Sequence, residues 1–380
     1  MRFSATEEQR LIDDSLGRLL ERHWEPRRDA QLLSGEVAGG AVWRGMRDMG
    51  LLGLVVPEEA GGGGMGAAEV AVLFRRFGRH QLRSPFLGAQ IIAATVLAHS
   101  PPGSLRQGLL KGSAAGELRA APAVLEGGTR YDYRKAGMVA LPGDEAGHYR
   151  LSGRKRIVLE GDSAEYLLVS CRLGADEGEL ALVALPRDTA GVRATGYAAF
   201  DGTALATVTF EDTAFDTAAV VARGDEARNA LDAAFALGAL AAAAETLGAC
   251  EGAFERTLDY LRVREQFGTP IARFQALQHR ASDLHADIEL LRSLVLGAAG
   301  ALDSEAEQGR GEAFAAMALA VDVGDRVCRE AIQMHGAVGM TLELGIGRYL
   351  LRVNALSRLL GDEPHNARLY LHAMREENHE

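Results

Sequence analysis

The chain has 380 residues, of which 47% are hydrophobic and 24% charged, with a formal net charge of -11. That length exceeds one ordinary core and implies two or three domains, and the composition excludes a disordered chain. Acidic and basic residues are mixed along it, so it carries neither the basic footprint of a nucleic-acid binder nor a polybasic membrane patch, and no apolar run approaches the roughly 20 residues that cross a bilayer.

The opening Met1-Arg-Phe-Ser-Ala-Thr-Glu-Glu-Gln lacks the apolar stretch of a secretory signal, which points to a cytoplasmic protein. Thr6 followed by Glu7 and Glu8 reads as a helix N-cap with acids in the first turn. Leu11, Ile12, Leu16, Leu19 and Leu20 then recur at helical spacing, and Trp43, Met46, Met49 and Leu51 form a second apolar stripe. Gly61-x-Gly63-x-x-Gly66 matches the dinucleotide fingerprint in form only. It follows Pro57-Glu-Glu-Ala rather than a strand, and Gln81-Leu-Arg-Ser-Pro stands where a ribose-binding acid is needed, so a mobile surface turn is the expectation. Helical spacing resumes through Val70 to Phe74 and Ile91 to Leu97.

The period then becomes strand-like, with candidates at Tyr149–Leu151, Ile157–Leu159, Tyr166–Val169, Leu180–Val183 and Ala206–Phe210 separated by Gly, Asp and Pro. Long Ala- and Leu-rich helical segments follow over 226–261, 274–300, 311–335 and 343–360. The expected architecture is α+β in three parts. These are an N-terminal helical domain over 1–117, a small antiparallel β-sandwich or barrel over 118–224, and a C-terminal four-helix bundle over 225–380. Cys171, Cys250 and Cys328 are far apart and show no metal-ligand spacing, so reduced buried thiols are expected.

Two segments carry the functional signal. Arg264-x-Gln266-Phe267-Gly268-Thr-Pro270-Ile271-Ala-Arg-Phe274-Gln275 closes one helix and opens the next. A plain reading is a cationic helix end stopped by Gly and Pro. The chemical reading is a guanidinium fork for a pyrophosphate beside an aromatic ring. The second segment, Gln333-Met-His335-Gly336-Ala337-Val-Gly339, ends a later helix, where glycine admits close backbone approach to a ligand. His335 on its own reads as a satisfied structural histidine.

Together these segments resemble the Arg-x-x-Phe-Gly-x-x-Ile and Gln-x-x-Gly-Gly-x-Gly signature of acyl-CoA dehydrogenases. The likeness extends from Glu7-Glu-Gln-Arg10 through Val56-Pro-Glu-Glu-Ala-Gly-Gly62 and Gly153-Arg-Lys155 to the last helices, and the helical, β, helical order agrees. The resemblance implies an FAD-dependent oxidoreductase of lipid catabolism that desaturates an acyl-CoA thioester between Cα and Cβ. It implies that Arg264, Gln266, Phe267, Phe274, Gln275, Gln333, Gly336 and Ala337 hold the ADP half of an FAD whose ring lies in a neighbouring subunit. It also implies an electron-transfer flavoprotein as electron acceptor. Ala337 departs mildly from the family, replacing its second glycine.

Larger departures concern the base. Most members place a Glu about ten residues after the arginine that Arg352 resembles, and by that spacing Gly361 stands there, with Asp362 and Glu363 adjacent. Others, such as isovaleryl-CoA dehydrogenase, use a Glu on an earlier helix, and counting back from Arg264 reaches Gly238 and Ala239. The flavin-ring motifs are altered as well. Ala120-Ala-Pro122-Ala-Val-Leu-Glu126 replaces Thr/Ser-Glu-Pro-x-x-Gly-Ser, and Ile157-Val-Leu159 replaces Trp-Ile-Thr. Motifs that serve a neighbour are kept, and motifs that serve the chain's own ring and proton abstraction are not. The chain thus resembles the base-lacking subunit of heteromeric acyl-CoA dehydrogenases, of the pimeloyl-CoA dehydrogenase small-subunit type. The partner implied is a homologous chain with a Glu-Gly-Thr base. The alternatives are a self-sufficient homo-oligomer using Glu363 or Glu245 as base, and a flavin-free scaffold. Small residues over Ala233–Ala244 are consistent with room for a bulky acyl group and equally with tight helix packing.

Overall fold

The computed structural model describes residues 5–24, 40–128, 130–174, 178–341 and 343–377. Met1 to Ser4 lie outside them. The chain divides into two compact units, one drawn from the described residues of 1–34, 66–83 and 239–380, the other from those of 35–65 and 84–238.

The first unit is helical. Helix α1 (Glu7–His23) opens as the sequence implies. Thr6 Oγ1 accepts the Gln9 N–H at 3.1 Å, and Gln9 Oε1 accepts the Thr6 N–H at 3.0 Å, a reciprocal cap of two orphan donors. Leu16 and Leu20 of α1 are fully buried. Helix α3 (Ala67–His80) is capped from far along the chain by Asp303, whose carboxylate accepts the Ala67 and Ala68 N–H groups at 2.6 and 3.0 Å. Two glycines set how closely α3 meets α6 (Gly224–Val263). A Cβ on Gly78 would lie 1.8 Å from the Glu245 carbonyl oxygen, and one on Gly248 would lie 1.8 Å from that of Arg75. Glu251 of α6 then joins Arg75 and Arg292, each at 2.8 Å. Helices α7 (Gln275–Ser304), α8 (Ala306–His335), α9 (Gly347–Leu359) and α10 (Glu363–Glu377) complete the unit. Helix α6 is long and apolar enough to cross a membrane by composition, but 89% of its most apolar stretch is buried inside the protein, as suits a core helix.

The second unit holds α2 (Gly40–Asp48), a π-helix over Phe86–Ala93, α4 (Ala94–Ala98), α5 (Ser104–Ala115) and the start of α6. Gly61 has φ +84 and opens the expected turn, yet the turn is tied down. The N–H groups of Gly63, Gly64 and Met65 donate to the carbonyls of Gly53, Val56 and Leu54 at 2.8 to 2.9 Å. The turn lies at the surface as expected, with Gly61, Gly63 and Gly64 exposed, but its backbone is densely hydrogen-bonded rather than loose.

The sheet runs in the order β6 (Val192–Ala198), β7 (Ala204–Asp216), β3 (His148–Leu159), β2 (Val139–Pro142), β4 (Tyr166–Leu173), β5 (Glu179–Pro186), β8 (Val220–Arg223), and β1 (Ala120–Ala123) pairs with β4. Most pairings are antiparallel, but β1–β4 and β2–β4 are parallel. Leu151, Val158, Leu167, Val169, Val183, Val208 and Phe210 fill the core beneath it. Cys171 lies there, Cys250 and Cys328 lie in the helical unit, and all three are buried free thiols. Burial pushes the Cys171 thiol up to about 12, so it is an inert core group.

Candidate functional site

Arg264 follows directly on α6. The chain then reverses through a two-residue hairpin in which Gln266 pairs with Thr269. Phe267 (φ +54) and Gly268 (φ +77) both occupy the left-handed region, the geometry that such a turn requires. The Ile271 N–H donates to the Arg264 carbonyl at 2.8 Å and closes the base of the loop. This backbone holds the Phe267 ring outward, 94% exposed, with the Phe274 ring edge-on at 6.2 Å. Exposing the Phe267 ring so fully has no folding rationale. Gln275 begins α7, and Gln278 of that helix donates to the Ala272 carbonyl at 2.9 Å.

The second segment ends α8. Gly336 takes φ +66 there with open space around it, whereas Gly339 packs so tightly that a Cβ would lie 2.5 Å from the Ile332 carbonyl oxygen. His335 is 5% exposed and donates from Nδ1 to the Ala331 carbonyl at 2.7 Å. Its ring stacks on Tyr260 at 4.5 Å. That contact fixes the end of α6, which bears Arg264, to the end of α8, which bears Gln333 and Gly336. The histidine is structural, as its sequence context implied, and its stack on Tyr260 is a contact the sequence did not signal. Arg264, Gln266, Phe267, Phe274, Gln275, Gln333, Gly336 and Ala337 are all exposed. The Arg264 guanidinium makes no ion pair among the described residues.

The positions that spacing assigned to a base, 361 and 238, both hold glycine. Gly361 is buried at φ +101, and a Cβ on it would lie 2.4 Å from the His365 ring. Asn366 donates from Nδ2 to the carbonyls of Leu360, Gly361 and Asp362 and holds this corner in place. Asp362 in turn accepts the His365 N–H at 3.1 Å as the cap of α10, so its carboxylate belongs to the fold. Gly238 lies buried within α6. Glu245 is 1% exposed, with both oxygens held by Arg352 at 2.6 and 2.9 Å. Asp232 accepts from Arg134 at 2.6 Å, and the adjoining Tyr133 and Phe235 rings stack face to face at 4.2 Å. Glu363 remains, half-buried in the first turn of α10.

The ring-side segment is apolar and filled. All four residues of β1 are buried. Glu126 accepts the Gly137 and Met138 N–H groups and pairs with Lys155 Nζ at 2.5 Å. Lys155 is fully buried and also donates to the Val124 carbonyl and to Ser170. Desolvation lowers its pKa, and the Glu126 carboxylate opposes the shift. Leu159 faces the π-helix, where a Cβ on Gly88 would lie 2.8 Å from the Leu159 Cβ. Ile157 takes φ +56 at the bulge between Lys155 and Val158, a strained backbone for a β-branched residue. Nearby, Arg119 donates to the Ser163 carbonyl at 2.7 Å and reaches Glu160 at 3.4 Å. Glu160 is 6% exposed, and burial raises its carboxyl to about 7.

Residues 6–117 match the family model of the acyl-CoA dehydrogenase N-terminal domain, and residues 228–368 match that of the C-terminal domain. A probable acyl-CoA dehydrogenase of Bacillus subtilis, YngJ, is 27% identical over 92% of this chain and 93% of its own length. The acyl-CoA dehydrogenase IpdE2 of Mycobacterium tuberculosis is 27% identical over 93% of each chain. Among solved structures, a chain of the ChsE4–ChsE5 complex from Mycobacterium tuberculosis superimposes with a TM-score of 0.86 at 26% identity, covering 99% of this chain and 99% of its own. Matched at both ends, over nearly its full length and in fold, the chain belongs to the acyl-CoA dehydrogenase family.

Proposed function

We propose that this chain is the supporting subunit of a heteromeric acyl-CoA dehydrogenase, completing the FAD site of a homologous partner and supplying no base itself. One contrast carries the reading. The residues suited to a neighbour's dinucleotide stand exposed, while the base positions hold Gly361 and Gly238, and of the acids nearest them Glu245, Asp232 and Asp362 are engaged in structural contacts, leaving Glu363. The ChsE4–ChsE5 relative is itself a complex of two chains, which favours the same arrangement here.

The residues fit one half of the cofactor. Arg264 offers an unengaged planar fork for a pyrophosphate. Phe267 and Phe274 offer aromatic faces, and Gly336 admits backbone approach. The ring half finds no such fit, because buried alanines and Leu159 stand where the family places hydroxyl and aromatic groups. FAD, if bound, would supply the acceptor for a hydride leaving Cβ of the acyl-CoA. This chain's part is binding and orientation. Arg264 neutralises phosphate charge, Gln266, Gln275 and Gln333 offer amide groups, and the Tyr260–His335 stack keeps both segments in register. The Cα proton passes to a carboxylate of the partner, and an electron-transfer flavoprotein takes the electrons.

The decisive experiment is a visible absorption spectrum of the chain alone and after co-expression with its partner. A colourless lone chain and a yellow complex with about one FAD per pair of chains is the expected result. Flavin in the lone chain that bleaches with an acyl-CoA sinks the reading. In that event Glu363, the nearby acid not fixed by a buried ion pair, is the base of a self-sufficient enzyme, and Glu363→Gln costs orders of magnitude in turnover.

A further inference from the structure

In the sheet unit, the loop over residues 130–137 joins β1 to β2 and forms turns rather than helix or strand. It is fastened to the start of α6. Tyr133 points inward and is 2% exposed, with its ring flat against that of Phe235 at 4.2 Å and 8°. Arg134 donates from Nε to Asp232 of the same helix at 2.6 Å. Glu126, just before the loop, accepts the Gly137 and Met138 N–H groups at 3.1 and 3.2 Å and closes its base. Arg172 adds a bond to the Ala136 carbonyl at 3.0 Å. Asp232, Phe235 and Gly238 follow one another at three-residue steps, so they share a face of α6. Gly238 stands where spacing puts a base, and a base must lie within hydrogen-bond reach of the Cα proton. An acyl thioester on this chain would therefore run along the stretch that Tyr133 covers. We infer that residues 130–137 are a strap that shuts this chain's own acyl-binding face, with Tyr133 seated in place of an acyl thioester.

The seat carries a built-in cost. The Tyr133 hydroxyl is buried and has no hydrogen-bond partner among the described residues. Phenylalanine would fill the same space without that penalty. Once the loop rises the hydroxyl meets water, so it tilts the balance toward the lifted state. The flanks supply the freedom to move, with exposed Gly127 and Gly128 ahead of the loop and exposed Gly137 at its end. The closed state is held against this by the Phe235 stack and by the Arg134–Asp232 pair, both on the face being covered. The inference rests on membership of the family. It deepens the supporting-subunit reading, because it names what keeps an acyl thioester out of this chain.

The test titrates S-octyl-coenzyme A, an unreactive thioether, by calorimetry into the natural chain alone and into the variant Tyr133→Ser/Arg134→Ser alone. The variant binds at least about tenfold more tightly, because a shut strap scales the natural chain's affinity by the fraction of time it stands open. Amide exchange over 130–137 and 231–238 quickens at least about tenfold in the variant. Affinities equal within about threefold overturn the strap, and so does exchange that the substitutions leave unchanged. If the double variant does not fold, Tyr133→Phe decides. With the stranded hydroxyl gone the strap sits more firmly, and exchange over 130–137 slows at least about threefold. Unchanged or faster exchange in Tyr133→Phe overturns the inference. The two readings fail separately. A yellow natural chain that bleaches with an acyl-CoA sinks the supporting-subunit reading, whereas equal thioether affinities in a colourless chain overturn the strap alone.

Discussion

Arg352 grips Glu245 in a buried two-point ion pair, Nε to one carboxylate oxygen at 2.6 Å and Nη2 to the other at 2.9 Å. A carboxylate held this way in the interior serves the fold. Removing one partner leaves an uncompensated buried charge, which costs about 3–5 kcal/mol. Glu245→Gln is therefore expected to lower the melting temperature sharply. A paired Glu245→Leu/Arg352→Met replacement recovers much of the loss. Thermal unfolding checks this, and a Glu245→Gln protein of natural stability that loses only turnover would contradict it.

Gly361 gives a second test. Restoring the family carboxylate by Gly361→Glu forces a side chain into φ +101 and against the His365 ring. Strain of this kind costs on the order of 1–3 kcal/mol. Gly361→Glu should melt earlier and leave the lone chain without acyl-CoA turnover. A lone Gly361→Glu chain that binds flavin and desaturates acyl-CoA shows instead that only the base was missing.

On the cofactor-serving face, Arg264→Ala removes charge-assisted hydrogen bonds of about 1.5–3 kcal/mol, so flavin affinity of the assembled enzyme falls roughly 10- to 100-fold. Arg264→Lys recovers only part of this, because an ammonium lacks the planar fork. Equilibrium dialysis of flavin from the complex provides the readout, with melting of the lone Arg264→Ala chain unchanged.

Glu160 predicts a pH effect. Burial raises its carboxyl from 4.5 to about 7, so the folded protein holds this proton more tightly than the unfolded chain. The contribution is present in full below pH 4.5 and is lost as pH rises through about 7, amounting to at most ~3 kcal/mol. Denaturant unfolding between pH 5 and 8 should show this component, and Glu160→Gln should remove it. An unchanged slope in Glu160→Gln refutes the assignment.

Much of this molecule was legible before its structure. The Thr6 cap, the Ala-rich α6 and the strand pairs around Val169 and Val183 follow from local periodicity. Strand β1 did not, because Ala120-Ala-Pro-Ala has no β-forming side chain and is extended through its parallel pairing with β4. Only local sequence was available to judge Gly61 to Gly66, and the hydrogen bonds that tie this turn down come from residues 53–56. The residues that the resemblance assigns to a cofactor were readable one by one. Long-range contacts were not: the Tyr260–His335 stack and the Arg352–Glu245 pair link distant stretches of chain, and nothing in either stretch alone announces its partner.

Asp303 caps α3 from 236 residues further along the chain. The helical unit therefore cannot complete the cap of α3 until most of the polypeptide has left the ribosome, whereas the sheet unit is complete once residue 238 has emerged. Synthesis thus imposes an order, with the sheet first and the Arg264 face last. A nascent chain truncated before Asp303 would hold an ordered sheet beside an unfinished bundle, and quality-control proteases can recognise that state.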